Sequence, residues 1–367
     1  MDQHKPSTAQ QVASRTLNVI GASLEQELEV RTRPGKLWSS ADGEAVRCYA
    51  CAHRCFIQNG SRGACGVRFN RDGVLQVPFG YVARRYVRPV ETNTILHVLP
   101  GARALTFGMF GCDLRCPYCH NHRLSQALRD GPSAERPVDM SPDALVEEAL
   151  RAGCSVICGA YNEPMITAEW GHAVFEVAKR HGLKTALISD GNSTREALEF
   201  MRSVTDVFRV DLKAADDAGY HRLGGRISPV LESIRAAREL GYWVEVVTLV
   251  VPGLNQDLGS IRQIATTLAA IDPEMPWHLN GFVPRYKLQQ MPAADPFFLS
   301  SAAGSGYAAG MRYVYVGNLP GRDELCHTRC PSCHQVLIRR QDYATLENEL
   351  VQGRCRQCGT NIPGLFS

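Results

Sequence analysis

The chain has 367 residues, 44% hydrophobic and 21% charged, ordinary globular values that exclude a disordered, collagenous or fibrous chain. Its 40 Lys and Arg against 37 Asp and Glu leave a net charge of +3, too even to point to nucleic acid or an anionic membrane as a general partner. The 14 cysteines exceed an ordinary share yet fall short of the roughly 8–10% of a small disulfide scaffold, so they need another explanation.

The first stretch, TAQQVASRTLNVIGASLEQELEV, has a helical pattern. It lacks the basic start, apolar stretch and cleavage site of a secretory signal, and no apolar run in the chain reaches 18 residues. A soluble cytoplasmic protein is expected. In that reducing compartment, clustered cysteines read as metal ligands or catalytic groups rather than disulfides. Their positions divide the chain into an N-terminal extension (1–44), a Cys-rich metal-binding module with a linker (45–100), a long core (101–320) and a tail (321–367).

The module carries Cys48, Cys51, Cys55 and Cys65. Four thiolates this close can enclose one metal centre, either zinc or an auxiliary 4Fe-4S cluster, and Gly60, Gly63 and Gly66 supply the turns that bring Cys65 back.

The core alternates apolar, β-rich runs with helical patterns. The runs are 104–110, 155–161, 184–189, 206–212, 242–251, 277–283 and 312–317; several of the helical patterns between them open on Ser or Asn and close on Gly. Such alternation predicts right-handed βαβ units and a parallel sheet. Six or more units without a Gly-rich dinucleotide fingerprint favour a full or partial TIM-like barrel over a Rossmann sheet, with the chemistry at the C-terminal strand ends.

Directly after the first of these strands, GCDLRCPYCHNH places Cys112, Cys116 and Cys119 within eight residues. Three thiolates can hold three irons of a 4Fe-4S cube and leave the fourth open; the alternative is a zinc knuckle completed by a distant ligand. Later strand ends carry Asn162-Glu163, Ser189 to Asn192, Asp211-Leu212-Lys213, Val251 to Asn255, and His278 with Arg285-Tyr286. Singly each could cap a helix or close a turn, but their recurrence at strand ends favours a site. Cys154 and Cys158 read as core packing.

In the tail, Cys330 and Cys333 are separated by 21 residues from Cys355 and Cys358, the spacing of a zinc ribbon, with an iron-sulfur centre as the rival. The segment between them suits short strands or a helix. Cys326 is a bystander or a substitute ligand.

The trio's spacing, with Tyr118 just before its last cysteine, resembles the radical S-adenosylmethionine (radical SAM) superfamily. The order of modules over residues 45–367, from RCYACAHRC through YNEP, DLK and VYVGNLPG to CPSC and CRQCGTNIPG, is similar to the AmmeMemoRadiSam system radical SAM enzyme family. That group is often labelled as similar to pyruvate formate-lyase activating enzymes. The resemblance implies an α/β fold: a partial TIM-like (β/α)6 radical SAM barrel with an N-terminal Cys-rich module and a C-terminal zinc-ribbon-like tail. It further implies that Cys112, Cys116 and Cys119 ligate a 4Fe-4S cluster and that SAM sits on the open iron. Glu163, Asn162, Ser189, Asp211, Lys213 and Tyr118 would lie around it. Reductive cleavage of SAM to a 5'-deoxyadenosyl radical would then abstract hydrogen from an unidentified substrate, as glycyl-radical activases do on a protein. The electron donor would be a flavodoxin or ferredoxin. Two departures stand out: Tyr161-Asn162 replace a pair of glycines, and Thr92-Asn93-Thr94 replace lysines. An RNA-modifying enzyme and a non-catalytic metal-binding scaffold are the alternative functions.

Overall fold

The β-branched runs and the amphipathic stretches between them build one large sheet flanked by helices. In the computed structural model, which describes residues 23–131, 133–319, 321 and 323–367, this sheet has eight strands. They are β1 (Arg84–Pro89), β2 (Arg103–Gly108), β3 (Val156–Gly159), β4 (Lys184–Ser189), β5 (Val207–Asp211), β6 (Trp243–Val250), β7 (Trp277–Gly281) and β8 (Val314–Gly317). Strands β2 to β8 are parallel neighbours in chain order, and β1 pairs antiparallel with β2. Among the described residues β1 does not pair with β8, so the barrel is open and partial, with seven parallel strands. All four residues of β3 and of β8 are buried, as expected for strands covered on both faces.

The longer helices are α1 (Pro142–Arg151), α2 (Ala168–Arg180), α3 (Arg195–Arg202), α4 (Ile227–Glu239), α5 (Leu258–Ile271) and α6 (Pro296–Ala308). Ser141, Thr194 and Asp257 cap α1, α3 and α5 by accepting from backbone N–H groups of the first turn. The sequence reading did not anticipate α6. Its small and apolar residues are spread around the axis instead of forming one stripe, so no helical period marks it.

Among the described residues no helix is long and apolar enough to cross a membrane. Of the helix expected near the N-terminus, Leu24–Glu29 is helical, closed by a capping box between Ser23 and Gln26; the rest of that expectation lies outside the described residues. Residues read as an extension are paired into the Cys-rich module, Thr32–Pro34 with Val74–Pro78 and Trp38–Ser40 with Val46–Cys48. In the tail, the segment between the two cysteine pairs forms strands (Val336–Gln341 and Ala344–Asn348), not a helix. Cys154 and Cys158 are both buried in apolar surroundings.

A buried polar network seals the tail against β6–β8. His97 Nδ1 lies 2.7 Å from the Pro363 carbonyl and Nε2 lies 2.6 Å from the Tyr315 hydroxyl. The carbonyl can only accept, so Nδ1 donates; burial keeps the second proton off the ring near neutral pH, so Nε2 accepts from the phenol. The ring is therefore neutral. Glu245 accepts from His278 and from the backbone N–H groups of Leu96 and His97. Burial pushes the His97 pKa down to about 4. A histidine whose folded pKa lies below its unfolded value of about 6.5 loses stability as pH falls through that interval, here about 3 kcal/mol in full. The tail should thus loosen between pH 6.5 and 4. Comparing urea unfolding at pH 7 and pH 4.5 checks this, and His97→Gln should flatten that dependence.

Candidate active site

Strand β2 ends at Gly108, and the chain then turns through Gly111 into the loop bearing Cys112, Cys116 and Cys119. Two close approaches fix this loop. A Cβ on Gly108 would stand 2.5 Å from the Ala160 carbonyl oxygen. Gly111, at φ +92°, faces the Cys65 carbonyl oxygen and the Val67 side chain, both within 3 Å of where its Cβ would be. Arg129 ties the loop down by donating to the carbonyls of Leu114, Cys112 and Ala64.

The trio lies at one end of a cavity of about 300 Å³ that runs over the C-terminal ends of β3 to β6. Its other walls include Tyr118, Asn162, Glu163, Asp190, Asp211 and Lys213. Of the residues expected at the ligand, all but Ser189 line it. The Ser189 hydroxyl instead donates to Glu163 (2.8 Å), which makes Ser189 a positioning residue. Glu163 also accepts from the N–H groups of Met165 and Asp190. Asn162 accepts from Met109 N–H, joining the ends of β2 and β3. Tyr161 takes φ +70°, so the left-handed backbone that glycine favours is kept at this step by a tyrosine. In the linker, Asn93 accepts from Thr106 and lines the cavity, which gives the substituted Thr92-Asn93-Thr94 step a place there.

Asp211 is held from two sides, by Arg209 (2.5 Å) and Lys213 (3.0 Å). Burial opposes both charges of the lysine pair, yet Asp211 holds Lys213 well above its usual range, and Arg209 with Lys213 holds Asp211 below its own. Toward β3 and β4 the carboxyls crowd one another, with Lys213 partly offsetting this at Asp190. Burial and Asp190 push the Glu163 carboxyl well up, burial and Asp113 do the same to Asp190, and Asp113 rises to about 6 through burial and Glu163. Asp113 and Arg209 were not anticipated; the first stands beside Cys112, a signal adjacency could have given, whereas the second lies inside a strand.

The thiols are protonated when free. Burial raises all three, Cys112 further through Asp190, and Cys116 to about 12 although Lys213 pulls it back. Their sulfurs do not gather around one point. Among the described residues, the four Cys330, Cys333, Cys355 and Cys358 sulfurs lie within 4.8 Å of one another, but those of the trio do not. A single ion with Zn–S arms of 2.3 Å needs sulfurs about 3.8 Å apart, so the trio's spread fits a larger inorganic core. These crowded carboxyls, only partly offset by Lys213 at Asp190, fit a ligand bearing positive charge.

His120 lines this cavity and also an adjoining one of about 430 Å³ roofed by the tail. His278 and Arg285 line only the adjoining cavity, while His122 stacks on Tyr286 outside both. Asn255 is fully buried and ties the Lys213 and Leu249 carbonyls together, so that loop positions Lys213 and does not itself line the site. Cys326 donates to the Val316 carbonyl and stands apart from the tail quartet.

An open parallel α/β barrel with an incomplete cysteine trio at the first strand end defines a radical SAM protein. The Radical SAM superfamily model matches residues 107–265. An "Uncharacterized protein" of Methanocaldococcus jannaschii is 32% identical over 335 residues, covering 90% of this chain and 98% of its own. The chain belongs to the radical SAM superfamily and shares a family with that archaeal protein. More distantly, the pyruvate formate-lyase-activating enzyme of Clostridium pasteurianum is 25% identical over 215 residues, 53% of this chain and 86% of the relative. A radical SAM methyltransferase structure from Sphaerobacter thermophilus aligns over 86% of this chain and 88% of its own at 13% identity and a TM-score of 0.47. The superfamily implies a 4Fe-4S cluster and SAM.

Proposed function

We propose that the protein is a radical SAM enzyme of the AmmeMemoRadiSam group, with Cys112, Cys116 and Cys119 as ligands of its 4Fe-4S cluster. The observation that carries this is the trio's position: one buried and two half-buried thiols, too widely spread for one ion, opening on a cavity walled by the crowded carboxyls of Glu163 and Asp190. Bound there, cluster and SAM supply one-electron cleavage to methionine and a 5'-deoxyadenosyl radical. The residues of this chain orient and exclude. Glu163 and Asp190 present carboxylates to the positive groups of SAM, with Ser189 and two backbone N–H groups holding Glu163 in place. Lys213, anchored by Asp211 and by Asn255 under its backbone, faces the carboxylate end. Tyr118 and Asn162 close the walls against water.

The reaction that follows is hydrogen abstraction from a substrate, and an activase-like reaction on a protein is our reading of it, with a flavodoxin or ferredoxin as donor. The tail quartet suits structural zinc: Cys330 and Cys358 sulfurs are 3.5 Å apart and those of Cys333 and Cys355 3.6 Å, close to the edge of a tetrahedral zinc-thiolate site.

The test is isotopic. A lysate from cells grown in deuterium oxide, exchanged into ordinary water and given the enzyme, SAM and dithionite, should put deuterium into 5'-deoxyadenosine. Fractionating it then isolates the hydrogen donor, and a glycyl radical signal in that fraction marks the activase reaction. Product without label from every fraction would contradict abstraction from a cellular substrate.

A further inference from the structure

The N-terminal quartet takes no part in the site just described, yet it lies against it. Cys48, Cys51 and Cys65 are buried and Cys55 is half-buried. Cys48 N–H donates to the Cys55 carbonyl at 3.0 Å and Ala64 N–H, next to Cys65, donates to the Cys55 sulfur at 3.4 Å, which folds the two ends of the motif onto each other. The four sulfurs are nevertheless spread out. Among the described residues no three of them fall within the 4.8 Å that gathers the whole tail quartet, and in this they match the Cys112 trio. One chain thus holds two kinds of cysteine site. The tail's sulfurs are drawn in to the dimensions of a single ion, and those of the other two sites are spread beyond that limit.

The quartet's loops touch the trio's loop directly. The Cys65 carbonyl oxygen abuts Gly111, the residue before Cys112. Arg129 bridges the carbonyls of Ala64, next to Cys65, and of Cys112 itself. His53 Nε2 lies 3.2 Å from the Asp113 carbonyl, and Ala52 N–H donates to Asn192 across 2.8 Å. Half-buried Cys55, between the exposed Arg54 and Phe56, is the quartet's edge toward solvent.

We propose that Cys48, Cys51, Cys55 and Cys65 hold a second 4Fe-4S cluster, not zinc, and that it relays electrons to the cluster on Cys112, Cys116 and Cys119. The relay rests on the proposed function; the cluster's identity does not. The step is a one-electron exchange. A reduced iron-sulfur or flavin carrier protein gives one electron to the quartet's cluster and is itself oxidised by one. That electron then passes on to reduce the trio's cluster, with no bond made or broken.

The experiment is metal analysis and electron paramagnetic resonance on full-length protein purified anaerobically. The expected wild-type content is about eight irons and about eight sulfides per chain, with one zinc from the tail. A Cys112→Ala, Cys116→Ala, Cys119→Ala variant should keep half of the iron and, on reduction, one cluster signal. The Cys48→Ala, Cys51→Ala, Cys55→Ala, Cys65→Ala variant should lose the other half. Fully reduced wild type should show magnetic broadening absent from both variants. Should the quartet variant fail to fold, the trio variant still decides. Its iron replaced by a second zinc would overturn the proposal while leaving SAM cleavage by wild type untouched. Two clusters without magnetic coupling would overturn the relay.

Discussion

Removing the three sulfurs of Cys112, Cys116 and Cys119 together should leave a folded protein that forms no 5'-deoxyadenosine under dithionite. The loss is expected to be complete because the thiolates hold the metal core itself and no neighbouring group can substitute. The side chains beside the sulfurs, Ser125 at 3.2 Å from Cys119 and Asp113 and Asp190 at 3.9 and 3.7 Å from Cys112, offer hard oxygen ligands. Stability should change little. The thiols sit in a loop held by Arg129 and by the Gly111 contact, neither of which the substitutions touch. Circular dichroism and chromatographic assay of the nucleoside check both statements. A variant that kept measurable cleavage would move the cluster elsewhere.

The second large effect concerns the joint between the Cys-rich module and the barrel. Arg68 and Glu169 form a two-pronged ion pair, 2.9 and 2.8 Å, with both side chains at most 1% exposed. Glu169 also accepts from the N–H groups of Lys36 and Leu37, and Arg68 donates to the Ile166 carbonyl. Burial raises the carboxyl pKa, but Arg68 more than reverses this, so the pair is ionised in the fold. Glu169→Ala would strand a guanidinium in an apolar interior at a cost of about 3–5 kcal/mol. Replacing both partners, Arg68→Met with Glu169→Met, should cost far less, since no charge is left alone. Denaturant midpoints for the two variants measure the difference. Equal losses would mean that packing, not the orphaned charge, sets the penalty.

The sheet was readable because its strands are short apolar runs separated by capped helices, a local signal. All seven predicted runs became β2 to β8 within a few residues. What escaped was non-local. Strand β1, with its Arg84-Arg85-Tyr86-Val87-Arg88 sequence, gains its place from pairing with β2 and shows no apolar run of its own. The trio was legible for the opposite reason, since its three ligands lie within one loop. Residues that support it lie far apart in sequence: Ser189 acts through Glu163, Asn255 through Lys213, and Arg209 from inside β5. No spacing rule links such pairs. The contrast between a tight tail quartet and the two spread cysteine sites was invisible as well, because cysteine spacing along the chain does not set the distances between sulfurs.

The proposed function requires that the chain cleave SAM. Anaerobically reconstituted wild-type protein, given SAM and dithionite, should release 5'-deoxyadenosine and methionine in equal amounts, and omitting the reductant should stop it. SAM remaining intact in protein that carries its full complement of iron and sulfide would contradict the account.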